Sequence, residues 1–355
     1  MLPVVRALRG RPALEVVVAV TGQHREMLDQ VFEVFGETPD IDLAIMTPGQ
    51  TISDITVRIL KEMPALFDKV KPDVVLVHGD TTTAMATAMA AFYARLPIGH
   101  VEAGLRSHDL DHPWPEEFNR VVIDGVAHWL FAPTQQSADN LARESNRRRV
   151  VAVTGNTGID ALLHIAARPD LDELAEQAAP VDPTKRLVLV TGHRRESFGE
   201  GFERICEGLS RIAAREDVQI VYPVHLNPQV KDVVTARLSH RPNVHLIAPV
   251  GYATMVALMK RATVILTDSG GIQEEAPALG KPVLVMREVT ERPEAVETGV
   301  VSLVGTDPKT IADAVFHLLD DPAYYAGRAR AVFPFGDGTA AEKIADILEN
   351  NRSPS

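Results

Sequence analysis

Four segments of this 355-residue chain carry side chains able to move a proton or to steady a leaving anion. Asp80 follows the apolar run DVVLVHG (73–79) and precedes three threonines. It is either a helix N-cap or a carboxylate projected from a strand end. Glu102 lies in His100-Val101-Glu102-Ala103-Gly104-Leu105-Arg106, again where an apolar run stops. Glu116 and Arg120 follow Pro113-Trp114-Pro115 at i, i+4 spacing, so they make a surface ion pair on a new helix or contribute to a site. His193, with Arg194 and Arg195, follows RLVLVTG (186–192). Those cations could neutralise a diphosphate, and the histidine could protonate its oxygen; the alternative is a solvated charged loop. Carboxylates gathered opposite a histidine have the composition of an acid/base site.

A fifth segment, Thr267-Asp268-Ser269-Gly270-Gly271-Ile272-Gln273-Glu274-Glu275, follows the strand-like ATVIL and opens a helix. That order suits an anion: glycines admit close backbone approach, and N–H groups at a helix start point outward with the positive end of the dipole. An ordinary Ser cap with a flexible turn is the alternative. Glu275, one turn in, could accept from ribose hydroxyls or simply be solvated. No GxGxxG follows the first strand, and there is no Walker A and no GxSxG elbow, so no nicotinamide cofactor is indicated. His108 and His112 sit on a Pro-flanked loop without HExxH or CxxC, so no metal is expected either.

The elements that must hold these residues are legible as alternation. Near-continuous apolar runs at 14–20, 73–79, 97–104, 129–134, 148–155, 186–192, 218–224, 243–249, 262–268 and 281–287 read as parallel strands buried on both faces. Amphipathic stretches separate them; in FERICEGLSRIAAR the single cysteine, Cys206, falls in the apolar seam, where packing is its role. The pattern predicts an α/β protein of two doubly wound, Rossmann-like domains around a cleft. The expected divisions are 1–163, 164–335 and a C-terminal helix and tail, 336–355, returning to the first domain. Segment 164–185, Pro- and acid-rich, reads as the connection, and NRSPS (351–355) as disordered.

Charge narrows the partners. Acidic residues outnumber basic ones 48 to 36, a net −12, which argues against non-specific nucleic-acid binding but leaves room for a local basic pocket for a phosphate. The N-terminus is interrupted by Arg6, Arg9, Arg11 and Glu15, so it lacks the apolar core of a signal peptide, and no uncharged run reaches the ~18 residues of a membrane span. With one cysteine and no intramolecular disulfide, the expected compartment is the cytoplasm.

Taken together, TGQHREMLDQ (21–30), VHGDTTTAMA (77–86), GHVEAGLRS (99–107), PWPEEFNR (113–120), TGNTGIDAL (154–162), VTGHRRESFG (190–199), VYPVHLNP (221–228), LTDSGGIQEEAPALGKPVLVMR (266–287) and TERPEAVETG (290–299) resemble the bacterial non-hydrolysing UDP-N-acetylglucosamine 2-epimerases, in family order over nearly the whole chain. The resemblance implies a fold like that of the GT-B glycosyltransferases, with a UDP-sugar between two domains, and inversion at C2, interconverting UDP-GlcNAc and UDP-ManNAc by elimination and re-addition of UDP, with neither cofactor nor metal. It makes Asp80, Glu102, Glu116 and His193 the catalytic candidates, with Arg120 supporting Glu116. Ser269, Gly270, Gly271 and Arg292 would hold phosphate, Glu275 the ribose, and the backbone of 250–255 the uracil. Gln23, Arg25, Glu26, Arg194 and His225 match the region where many members bind a second UDP-GlcNAc as activator, and the family is usually dimeric. A hydrolysing 2-epimerase, a GT-B glycosyltransferase and an inactive UDP-sugar-binding protein are the alternatives. Family members open with a strand and Gly-Thr-Arg-Pro-Glu ahead of the first helix, whereas Met1-Leu2-Pro3 already resembles that helix. An upstream extension is therefore expected to raise stability and turnover.

Overall fold

The computed structural model describes residues 1–22, 25–47, 49–144, 149–192, 194 and 198–350, with the backbone alone for Arg25, Glu26 and Met27. The chain divides into two compact units: unit 1 is Met1–Ala161 with Phe335–Ser355, and unit 2 is Leu162–Pro334. Both are α/β, and every described strand pair is parallel. Among the described residues, no helix is long and apolar enough to cross a membrane.

In unit 1, β1 (Ala19–Val20) pairs with β2 (Ile41–Asp42), and β3 (Val75–His78), β4 (Ile98–Val101), β5 (Trp129–Ala132) and β6 (Val150–Val153) form a separate sheet in chain order. Alternation along β5 builds two cores. Trp129 and Phe131 pack with Val4, Leu8, Ile344 and Leu348, while Leu130 and Ala132 face Ile59, Met85, Ile123 and Leu141. The helices Leu2–Arg9 and Ala340–Asn350 thus cover one face together, and Arg11 ties them with ion pairs to Glu342 (2.7 Å) and Asp346 (2.6 Å).

Unit 2 holds one six-stranded sheet in the order β12-β11-β10-β7-β8-β9: β7 Arg186–Thr191, β8 Val218–Pro223, β9 Val244–Ile247, β10 Val264–Thr267, β11 Val283–Val285 and β12 Val301–Leu303. Chain order reverses between β7 and β10, so the adjacent C-terminal ends of those two strands make the switch point where open α/β sheets bind ligands. Cys206 is fully buried among the core residues of this unit, and burial pushes its thiol up to about 12, which makes it inert.

Two sequence expectations are corrected. Burial on both faces holds for β4, β5 and β10 but not for β1, β3 or β6, which are half-exposed. β3 and β6 are the outer strands of their sheet, and the run at 14–20 contributes only two ladder residues. Edge strands lack the second neighbour that would cover them. Segment 164–185 is also more than a connection: it contains the helix Leu171–Ala178, which buries Leu171 and Ala175 and packs on the Tyr252–Arg261 helix of unit 2. Residues 351–355 lie outside the described residues.

Candidate active site

Unit 1 collects acid/base groups at the C-terminal ends of β3 and β4 and at the start of the Glu116–Val126 helix. Thr81, not Asp80, caps the Thr82–Tyr93 helix, its hydroxyl accepting from the Ala84 N–H at 3.2 Å. Asp80 is thereby released from capping. Its carboxylate pairs with Arg120 at 2.7 Å, and its carbonyl accepts from the Asn119 side chain at 2.8 Å. Glu102 has φ +72°, a costly conformation for a residue with a side chain, of the kind that clusters at functional sites. His78 Nε2 stands 3.7 Å from Glu102 Oε2. Desolvation, then the positive charge of the amino terminus and that of His100, hold the His78 pKa well below the ordinary histidine range, so the ring is a neutral neighbour for the carboxylate. Gly79 between them has φ +65°, and a Cβ there would lie 3.2 Å from the Glu102 carboxylate, so glycine serves both backbone and space.

The expected support of Glu116 by Arg120 is corrected. Arg120 pairs with Asp80 and, at 3.5 Å, with Glu117. Glu117 is buried and accepts from the backbone N–H groups of Ser107 (3.0 Å) and His108 (3.1 Å), tying the 105–108 turn to the helix. Glu116 is half-buried; one residue is about 100° of helix rotation, so adjacent glutamates take different surroundings. Sequence reasoning missed Glu117, since nothing in two consecutive acids says which faces inward.

In unit 2 the switch-point strands are locked together at their ends: Thr191 and Thr267 hydroxyls are 2.6 Å apart, and the fully buried Asp268 accepts from the Arg194 N–H at 2.8 Å. Ser269 starts the Gly270–Ala278 helix without a side-chain cap bond, so its hydroxyl is not spent on the helix. Arg292 lies over Gly270: a Cβ there would meet the guanidinium carbon at 3.2 Å. Arg292 is oriented from two sides, by Glu274 at 2.7 Å and by Thr290, whose hydroxyl accepts from the Arg292 N–H at 3.1 Å and donates to Gln273. Serine hydroxyl, helix-start amides and a guanidinium together have the chemistry that an anion would need. A Cβ on Gly271 would meet only Ser269 Oγ, at 3.9 Å, so no crowding requires that glycine.

Glu275 accepts from the Tyr252 hydroxyl at 2.9 Å, and burial pushes its carboxyl up to about 7. Tyr252 carried no sequence signal, because an aromatic opening a helix reads as core. His193 and Gln23 lie outside the described residues, and Arg25 and Glu26 are placed only as backbone of the Arg25–Phe35 helix. Arg194 is half-buried, and His225 is exposed, its Nδ1 accepting from the Asn227 N–H at 3.1 Å. Among the described residues, no three His, Cys, Asp or Glu side chains are grouped to hold a metal ion.

Comparison with known proteins places these observations. Residues 6–349 match the UDP-N-acetylglucosamine 2-epimerase family. The UDP-N-acetylglucosamine 2-epimerase of Escherichia coli (strain K12) is 54% identical over 358 residues, covering 99% of this chain and 95% of its own. A UDP-GlcNAc 2-epimerase structure from Neisseria meningitidis bound to UDP-GlcNAc superposes with TM-score 0.90 at 45% identity, over 99% of this chain and 96% of that one. One from Methanocaldococcus jannaschii, in complex with UDP-GlcNAc and UDP, gives TM-score 0.79 at 34% identity, over 98% and 95%. On the match across nearly its whole length, the chain belongs to the UDP-N-acetylglucosamine 2-epimerase family.

Proposed function

We propose that this protein is a non-hydrolysing epimerase interconverting UDP-GlcNAc and UDP-ManNAc. The C2 hydrogen is only weakly acidic, so its direct removal is slow. Elimination lowers that barrier: a carboxylate takes the C2 proton as the bond from C1 to the UDP oxygen breaks, in an anti sense, leaving 2-acetamidoglucal and UDP. UDP then re-forms the bond at C1 while a proton reaches C2 from the opposite face. No electrons are gained or lost and no water is consumed.

The chemistry requires an acid/base set and an anion-binding set. Asp80, Glu102 and Glu116 are the proposed base and reprotonating acid, with Arg120 fixing Asp80. Ser269, Gly270, Gly271 and Arg292 are the proposed diphosphate ligands, His193 the proposed partner of the leaving oxygen, and Glu275 that of the ribose. Fixed donors aimed at developing charge are the largest ordinary source of rate acceleration. A second UDP-GlcNAc near Gln23, Arg25, Glu26, Arg194 and His225, a homodimer and a cytoplasmic setting complete the proposal.

The observation that carries this reading is membership of the family over residues 6–349. Incubation with UDP-GlcNAc in D₂O tests it. UDP-ManNAc bearing deuterium at C2 is the expected product. Free ManNAc with UDP would replace the reading by the hydrolysing one, and absence of C2 deuterium in every product would defeat the elimination route.

A further inference from the structure

Behind Asp80 and Glu102 runs a buried chain of polar groups that the proposed chemistry does not use. His100, on β4, is 0% exposed. Its Nδ1 lies 2.6 Å from Asp124 Oδ1, and its Nε2 lies 3.0 Å from the carbonyl oxygen of Gly79. Asp124, equally buried, uses Oδ2 to accept from the Gly104 N–H at 3.1 Å and to pair with Arg106 at 2.7 Å. At the surface end, Arg106 continues to the exposed Glu144 through two bonds of 2.7 and 2.8 Å.

Stability alone is a poor account of this network. A buried ionic cluster is commonly no better than well-packed apolar residues of the same volume, because desolvation offsets the attraction. Its connectivity is more telling. Gly79 immediately precedes Asp80, Glu102 lies between His100 and Gly104, and Asp124 is one turn beyond Arg120 on the helix that begins at Glu116. Every backbone segment of unit 1 that bears an acid/base candidate is thus tied to one carboxylate–imidazole pair.

We infer that His100 and Asp124 are positioning residues, which hold the Gly79 carbonyl, and so the approach of Asp80, in register with Glu102 and with the Glu116–Val126 helix. They act through those residues and touch no substrate. The inference rests on the epimerase reading for its catalytic consequence, but not for its structural one.

The test uses the whole chain with His100→Leu, which removes both bonds, and His100→Gln, whose amide can still donate toward Gly79. Amide hydrogen exchange over 79–82 and 102–104 is followed beside kcat and KM for UDP-GlcNAc. In His100→Leu, exchange in those segments rises about tenfold or more above the rest of unit 1. In the same variant kcat falls about 10²-fold, the usual cost of misplacing a reacting group by about 1 Å, while KM stays within about threefold. His100→Gln recovers most of both. Unchanged exchange at these segments overturns the inference whatever the activity, and so does a uniform loss of stability with kcat per folded molecule intact. If His100→Leu does not fold, the near-isosteric Asp124→Asn carries the same expectations. Absence of wild-type turnover would sink the epimerase reading, and the exchange result would still decide the positioning.

Discussion

Asp124 in unit 1 and Glu275 in unit 2 both lie beside candidate site residues, the first fully buried and the second half-buried, and the two ionise in opposite directions. For Asp124 in unit 1, burial works to raise the pKa, but the His100 hydrogen bond and charge and the Arg106 guanidinium outweigh it and hold the group below the ordinary carboxylate range. For Glu275 in unit 2, burial wins and lifts the carboxyl to about 7; its partner is the neutral Tyr252 hydroxyl, and Glu274 adds repulsion. Burial therefore fixes neither state, and the charge of the partner decides. The sheets differ in the same sense. In unit 2 the candidate anion-binding residues follow β7 and β10, which are hydrogen-bonded to each other and buried. In unit 1 the candidate acid/base residues follow β4 and the half-exposed outer strand β3, where side-chain bonds such as His100 to Gly79 add to the ladder on the one neighbouring strand.

The largest effect that would break this contrast is a loss of function divided wrongly between the units. Asp80→Asn or Glu102→Gln should lower kcat by about 10²–10⁴-fold, the usual contribution of a positioned acid or base. UDP affinity measured by calorimetry should stay within about threefold of wild type. A parallel collapse of UDP binding would show that unit 1 is not a separate acid/base set.

Next comes the opposite ionisation. Glu275 keeps its proton up to about 7 in the folded chain, against the ordinary 4.5. Between those values the folded state binds more protons than the unfolded one, so stability falls as pH rises through that window, by at most ~3 kcal/mol. Denaturant midpoints at about pH 5 and about pH 7.5 should differ accordingly in the wild type, and Glu275→Gln should flatten the difference. If the slope survives that substitution, another group owns it. Arg292→Met has a smaller expected effect: removing a charge-assisted contact worth about 1.5–3 kcal/mol should raise the Kd for UDP by about 10- to 100-fold. The rate of a saturated enzyme should change less than its KM.

Much of this arrangement was legible because parallel α/β folds bring strand ends together, and the sequence punctuates those ends with Asp80, Glu102, Ser269 and Gly270. What stayed hidden depends on which residues meet across elements. His100 and Asp124 are 24 positions apart, on a strand and a helix, and no spacing rule pairs them. The choice of Glu117 rather than Glu116 as the buried acid depends on how the helix is rotated against its neighbours. Splitting of unit 1 into two sheets is a matter of long-range pairing, to which apolar runs such as 14–20 and 73–79 are blind. Tyr252 matters only because Glu275, 23 residues later, is folded against it.

The smallest effect separates a cap that holds a helix from one that holds a ligand. Thr81 and Ser269 each occupy the N-cap of a helix at a strand end, but only Thr81 spends its hydroxyl on the helix, through Ala84. Thr81→Ala should cost ~1 kcal/mol of stability and lower the melting midpoint by about 2–4 °C. Its kcat should stay within about twofold, because Asp80 keeps its bonds from Arg120 and Asn119. Ser269→Ala should leave the midpoint nearly unmoved and weaken UDP binding by about 2- to 10-fold, the worth of one neutral hydrogen bond. Equal destabilisation by the two alanines, with UDP affinity unchanged in both, would mean that Ser269 serves the fold as Thr81 does, and the anion site of unit 2 would then rest on Arg292 and the helix-start amides alone.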